Sequence, residues 1–294
     1  MIQPRQFKPP PQNHFAGGAP AIRGWHTLSL LCCLIVGALT TWAQEGKPKG
    51  DDRLPTGERI MDKTIDARGG KEAWEKLENR VSKGTIEVAA GPQKAKGKIT
   101  TYSAAPNKFY QLRDLGQAGK VEVGTDGETY WDIISNKASI KEGDDRESRV
   151  ASMDFYKEIN WHDYFDKVEC RGKETIDGRS CYLVALTSKT GGTETRYFDR
   201  KTGLHIRTEE KSQGEKGEVS NETRYEDYRE VEGVRFPFKI IQTSSAAGQS
   251  QTVTITWESI EVNTDIPGDR FDLPAAVKQL AKQPKKPAPP DKKK

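Results

Sequence analysis

Residues 103–133 read SAAPNKFYQLRDLGQAGKVEVGTDGETYWDI. Pro106 lacks a backbone donor and stops the strand before it, and Asp126-Gly127 offers residues that tolerate the positive φ of a tight hairpin. Between these breaks lie short runs rich in Phe, Tyr, Leu, Val and Trp. The stretch specifies a meander of antiparallel strands with aromatic faces, and no side chain in it is obviously reactive.

The same period of two extends outward in both directions. Strands are expected at 83–89, 97–103, 108–115, 121–124 and 129–134, then at 166–175, 179–188, 193–199, 204–211, 218–229, 234–243 and 251–262, with Gly, Pro, Asn or Asp at nearly every break. Turns at Asp177-Gly178, Thr202-Gly203 and Glu232-Gly233 join neighbours directly, so consecutive strands should pair antiparallel. Before the strands, Thr56 caps a helix with Ile60, Met61, Thr64 and Ile65 on one side, and Gly69-Gly70 ends it. A shorter helix over 71–77 turns Ala73, Trp74 and Leu77 inward. Eleven or twelve strands with two or three helices make a mainly β (α+β) domain rather than a parallel sheet.

One helical pattern interrupts the strands. In 149–165, RVASMDFYKEINWHDYF, the residues Val150, Met153, Tyr156 and Ile159 recur every three positions, with Phe155, Trp161 and Phe165 beside them. Such a stripe is either a helix plugging the core or a lid over a cavity. Strand faces leave the same choice open. In 179–188 both parities are apolar, whereas in 251–262 Val253, Ile255 and Trp257 alternate with threonines. A sheet apolar on both sides over its middle covers two surfaces, and the second is another packed layer or an apolar cavity.

The ends of the chain read differently. Residues 1–43 carry Arg5, Lys8 and Arg23 and no acid, then an apolar run from Leu28 to Leu39, then Thr41-Trp42-Ala43 as a small-x-small cleavage site. This is the pattern of a secretory signal peptide, and the run falls short of the roughly 20 residues of a spanning helix. An uncleaved inner-membrane anchor over 25–43 is the alternative. Residues 44–56 read as a flexible linker and 57–274 as the folded domain. Residues 275–294, rich in Lys and Pro, read as a disordered basic tail suited to peripheral contact with anionic surfaces. Residues 44–274 hold 37 basic and 42 acidic side chains, so no basic stripe for nucleic acid is expected on the fold.

Motifs for catalysis are missing from the sequence: there is no His-Glu-x-x-His, no Gly-x-Ser-x-Gly and no phosphate loop. After residue 43 only His162, His205, Cys170 and Cys181 remain of their kinds, too few for a metal site without scattered carboxylates, and neither metal nor cofactor is expected. If Asp177-Gly178 is a two-residue turn, Glu174 faces Cys181 and Cys170 faces Ala185. The sulfurs then lie roughly 13 Å apart along the ladder, too far for a disulfide.

Pro106, Asn107 and Phe109, followed by Asp126, Gly127 and Trp131, resemble the early strands of LolA-like periplasmic lipoprotein carriers. Tyr197-Phe-Asp-Arg-Lys-Thr-Gly-Leu204, Gly233-Val-Arg-Phe-Pro237 and the closing Phe271-Asp-Leu-Pro274 are similar to outer-membrane lipoprotein-sorting proteins of that superfamily. The resemblance implies a curved, incomplete antiparallel barrel with helices over its concave face. It further implies non-enzymatic binding or transport of lipid or lipoprotein acyl chains in the periplasm. Phe109, Trp131, Val184 and Trp257 are the expected cavity lining, under a lid of Val150, Met153, Tyr156 and Ile159. The best-known carriers have an Arg before the Pro-Asn pair; here it is Ala105, which puts loading by an inner-membrane transporter in question. Two other readings stand beside the carrier: an envelope sensor or interaction module that recognises envelope proteins, and a hydrolase.

Overall fold

The computed structural model describes residues 53–214 and 217–283. The expected signal peptide, its alternative as an anchor and most of the expected linker lie outside the described residues, as do residues 284–294 of the expected tail. Among the described residues no helix is long and apolar enough to cross a membrane.

Thirteen strands among the described residues form one sheet: β1 (Asn79–Ala90), β2 (Gln93–Ala104), β3 (Lys108–Asp114), β4 (Lys120–Thr125), β5 (Tyr130–Ile134), β6 (Lys137–Ile140), β7 (Phe165–Ile176), β8 (Arg179–Ser188), β9 (Thr193–Asp199), β10 (His205–Gly214), β11 (Gly217–Val231), β12 (Val234–Ala246) and β13 (Gln249–Val262). Their order is β6-β5-β4-β3-β2-β1-β13-β12-β11-β10-β9-β8-β7. Two meanders therefore meet at the antiparallel β1–β13 pair, and the sheet stays open between the free edges β6 and β7. This is the mainly β, incomplete-barrel class that the strand pattern implies.

Tight turns set the registers. Asp177-Gly178 and Glu232-Gly233 have positive φ at both positions, placing Ile176 opposite Arg179 and Val231 opposite Val234. Ser135-Asn136 does the same (φ 50° and 65°) and creates β6, a thirteenth strand beyond the expected dozen. Its four residues are too few for alternation to register. Asp126-Gly127 departs from expectation. Thr125 pairs with Tyr130, leaving a four-residue loop in which the Asp126 carboxylate accepts from the amides of Glu128 (3.0 Å) and Thr129 (2.8 Å).

Helices α1 (Gly57–Ala67), α2 (Lys71–Glu75) and α3 (Gly143–Met153) lie on one face, called the inner face. The Thr56 hydroxyl caps α1 by accepting from Arg59 (3.3 Å), and Ile60, Met61 and Thr64 are buried beneath it. Gly57 allows the start of α1 to touch the backbone of β7, since a Cβ there would sit 2.6 Å from the Val168 carbonyl oxygen. A fourth helix, α4 (Ala275–Ala281), corrects the reading of a tail disordered from residue 275. Ala-Ala-Val-Lys-Gln-Leu-Ala are helix-forming residues after Pro274, Val277 is fully buried, and α4 packs against β6. Averaging composition over the whole Lys- and Pro-rich segment hides them.

Two irregularities in β7, at Phe165/Lys167 and Cys170/Gly172, disrupt that edge. The second moves Cys170 from the expected partner Ala185 to Val184. Cys170 consequently packs with the inner cluster around Val184, while Cys181 belongs to an outer-face cluster with Tyr197 and Ile206, and both thiols are free.

Candidate functional site

Cross-strand partners share a face, so the registers fix the inner surface row by row. From β7 to β9 it is apolar: Phe165, Val168, Val184, Leu186 and Phe198 pack with Ile60 and Met61 of α1 and with Trp161. At the centre, Ile86, Phe236, Phe238, Ile255 and Trp257 pack with Trp74 and Leu77. From β2 to β5 the surface turns polar. Thr101, Ser103, Gln111, Arg113 and Asp132 point inward beside Phe109, Val123 and Tyr130. There Gln111 donates to the Thr101 hydroxyl (3.0 Å) and accepts from Arg113 Nε (2.6 Å), while Asp132 pairs with Lys141 (2.7 Å).

The segment from α3 to β7 crosses all three regions. The stripe predicted for one helix over 149–165 is divided, because α3 ends at Met153 and Asp154 adopts an extended conformation (ψ 126°). The Asp154 carboxylate accepts from the Tyr156 amide (2.6 Å) and from the Tyr164 hydroxyl, which turns the chain where the helix would continue. Val150 and Met153 then rest on Val123 and Tyr130; Tyr156 and Ile159 rest on the central cluster; Trp161 rests on the β7–β9 cluster. The Tyr156 hydroxyl donates to the Leu77 carbonyl (2.8 Å).

Between this cover and the ends of β8–β11 opens a cavity of about 720 Å³, within the range of small-molecule sites. Val150, Tyr164 and Phe165 supply apolar wall, and Lys157, Glu194 and Glu210 stand among its polar groups. Glu194 and Glu210 are directly opposed on β9 and β10; burial and the Glu194 charge push the Glu210 carboxyl up.

Deeper under the cover lies an ionic cluster. Glu158 stands 3.5 Å from Arg68, which follows α1, and its side chain keeps 41% of its accessible surface. Burial raises its carboxyl pKa, but Arg196 and Arg68, with His205, outweigh that and bring it down to about 2. Arg196 bonds Glu194 (2.5 Å) and lies over the Phe165 ring. His205 is buried between Phe198 and Tyr225, with Nε2 near Thr208 Oγ1 (2.9 Å) and the Arg207 carbonyl (3.0 Å). Burial, reinforced by Arg196, pushes its imidazole down to about 3, so it is neutral at ordinary pH.

The expected lining residues occupy one sheet but two faces. Phe109, Val184 and Trp257 are on the inner face, Phe109 in the row Phe109–Thr125–Tyr130. Trp131 is in the neighbouring row, Tyr110–Gly124–Trp131, which points outward. There its indole lies across Gly124, where a Cβ would be 2.6 Å from the ring, and Arg270 stacks on Tyr102 and Tyr110 beside it. Of the four expected lining and four expected lid residues, only Val150 borders the 720 Å³ cavity. Sequence reading missed Arg68, Arg80, Glu158, Arg196 and His205. The available signal was parity: in β9 the inward positions are Glu194, Arg196 and Phe198, so two charges share a row with a core aromatic. Among the described residues no group of three or more His, Cys, Asp or Glu is placed to hold a metal.

Solved structures share this architecture. A DUF1329 family protein from Desulfovibrio piger is 13% identical and superposes with a TM-score of 0.53, over 74% of this chain and 98% of that one. A LolA superfamily protein from Nitrosomonas europaea is 15% identical, with a TM-score of 0.51 and coverage of 74% and 98%. A domain from Vibrio parahaemolyticus described as an outer-membrane lipoprotein-sorting protein is 10% identical, with a TM-score of 0.50 and coverage of 77% and 98%. No family model and no curated protein matches the sequence. The chain has a LolA-like fold.

Proposed function

We propose that this protein is a non-enzymatic binder or carrier of the acyl chains of a lipid or lipoprotein, exported to the bacterial periplasm. The observation that supports it is the cavity of about 720 Å³ between the cover and the open side of a LolA-like sheet. Each CH₂ taken from water contributes ~0.8 kcal/mol, so an acyl chain against Val150, Tyr164 and Phe165 gains affinity without any reacting group. Charged groups around the same cavity suit the polar end of an amphiphile. Residues 1–43 would serve as the cleaved export signal, and the Lys-rich end would give peripheral contact with anionic envelope surfaces.

Native mass spectrometry of the protein purified from envelope extracts tests the reading. A carrier retains lipid or lipoprotein at a defined stoichiometry, and its mature chain starts near Gln44. Protein that is free of lipid and fails to bind a fluorescent fatty acid contradicts the carrier. If the same preparation retains a protein partner instead, it is an interaction module.

A further inference from the structure

Three guanidinium groups share the centre of the inner face. Arg68 stacks on Trp74 (4.6 Å), Trp74 meets the Phe236 ring edge-on (5.4 Å), and Arg80 stacks on that same Phe236 (5.3 Å). Arg196 completes the set, bordering with Arg68, Trp74 and Glu158 a void of about 10 Å³. The aromatic pair fixes two cations side by side, an arrangement that favours separation unless an anion lies between them.

Their counter-charges are unequal. Arg196 has Glu194 and Arg68 has Glu158, whereas Arg80 has no carboxylate within 4 Å among the described residues. Burial and the charge of Arg68 bring the Arg80 guanidinium down to about 10. A part-buried cation with no carboxylate in contact is costly to fold unless something answers it.

We infer that Arg80, with Arg68 and Arg196, binds the anionic headgroup of the amphiphile, a phosphate or carboxylate, and that Glu158 of the cover occupies the site when no ligand is bound. This rests on the carrier reading and adds the ligand's charge to it. A void of about 10 Å³ holds one water at most, so a headgroup enters only as Glu158 and Ile159 move out. The carboxylate of the cover and the anionic group of the ligand exchange places. Ligand binding and opening of the cover are therefore one event, and neutral amphiphiles, which cannot replace Glu158, leave Arg68 without its partner.

Equilibrium binding of dodecyl phosphate, dodecyl maltoside and inorganic phosphate to the full chain tests this. Native protein should bind dodecyl phosphate at least about tenfold more tightly than dodecyl maltoside, and inorganic phosphate far more weakly than either, since charge-assisted bonds and chain burial add. Arg80→Gln should reduce that preference to less than about threefold, and Arg80→Lys should retain part of it. Glu158→Gln removes the competing carboxylate and should tighten dodecyl phosphate binding, a readout independent of whether Arg80→Gln folds. Equal affinity for the two amphiphiles overturns the headgroup site and leaves the carrier reading intact, and so does an unchanged preference in Arg80→Gln with weaker binding in Glu158→Gln. Inorganic phosphate binding as tightly as dodecyl phosphate overturns it in favour of a free-anion site, and no binding of either amphiphile overturns both readings.

Discussion

The two ends of the sheet carry their helices on inner surfaces of different chemistry. Helix α1 lies on β7 and β8 through Ile60 and Met61, which meet Val168, Val184, Leu186 and Phe198, all buried and all apolar. Helix α3 lies on β4 and β5, where Val150 and Met153 meet Val123, Tyr130, Phe109 and Val121, and Gln111, Arg113 and Asp132 stand among the neighbouring inner positions. Dry apolar contact holds an element in one place, because every opening exposes its whole area. A small apolar seat among polar side chains that water can solvate opens at lower cost. On these contacts α1 is expected to stay in place while α3 opens at lower cost.

Truncation on the two sides should break this comparison most clearly. Phe198, 1% exposed beneath α1, should cost about 3–5 kcal/mol of global stability when replaced by Ala, read from denaturant unfolding. Met153→Ala removes the main apolar contact of α3. If the cover opens as its own unit, global stability should change by less than about 1 kcal/mol while fluorescent fatty-acid binding falls. Similar global losses in both variants would make α3 a core plug.

Acid sharpens the comparison through the centre of the site. His205 has a folded pKa of about 3 against an unfolded value near 6.5. The unfolded chain binds a proton that the folded chain refuses, so the stability His205 contributes is complete above about pH 6.5 and lost as pH falls toward 3. The slope is at most about 1.4 kcal/mol per pH unit for this one proton. Glu158, with a folded pKa of about 2, adds a loss of the same sign that begins below its ordinary carboxylate value of 4.5. Arg196, Arg68 and Tyr225 face the same space. Curves of stability against pH for His205→Asn should be flatter than those of the native protein between pH 6.5 and about 3, and parallel to them below. An unchanged slope in that interval contradicts the neutral, enclosed imidazole.

Much of the fold was legible because turn chemistry and alternation act locally. Asp177-Gly178 and Glu232-Gly233 form the expected two-residue turns, and Thr56 caps α1 as read. What escaped depends on contacts distant in sequence or on a single residue overriding a pattern. Asp154 stops a helix whose apolar period continues past it, because its carboxylate serves the Tyr156 amide and the Tyr164 hydroxyl. One irregularity in β7 shifts Cys170 by a residue, and nothing in 166–175 announces it. Trp131 pointed outward because a face is assigned only once the register through Gly124 is known. The arginine cluster was hidden for the same reason: Arg68, Arg80 and Arg196 are far apart in the chain, and only the sheet order brings them around Glu158.

The expected difference between α1 and α3 is tested most directly by amide hydrogen exchange over 57–67 and 143–153 in the same sample, with and without dodecyl phosphate. Residues 143–153 should exchange by local opening at a rate set by the cover, while 57–67 should exchange only as fast as global unfolding allows. Added ligand should change the rate over 143–153 and leave 57–67 unaltered relative to the global value. Equal protection of the two helices, with no response of 143–153 to ligand, would contradict a cover that opens for its cargo.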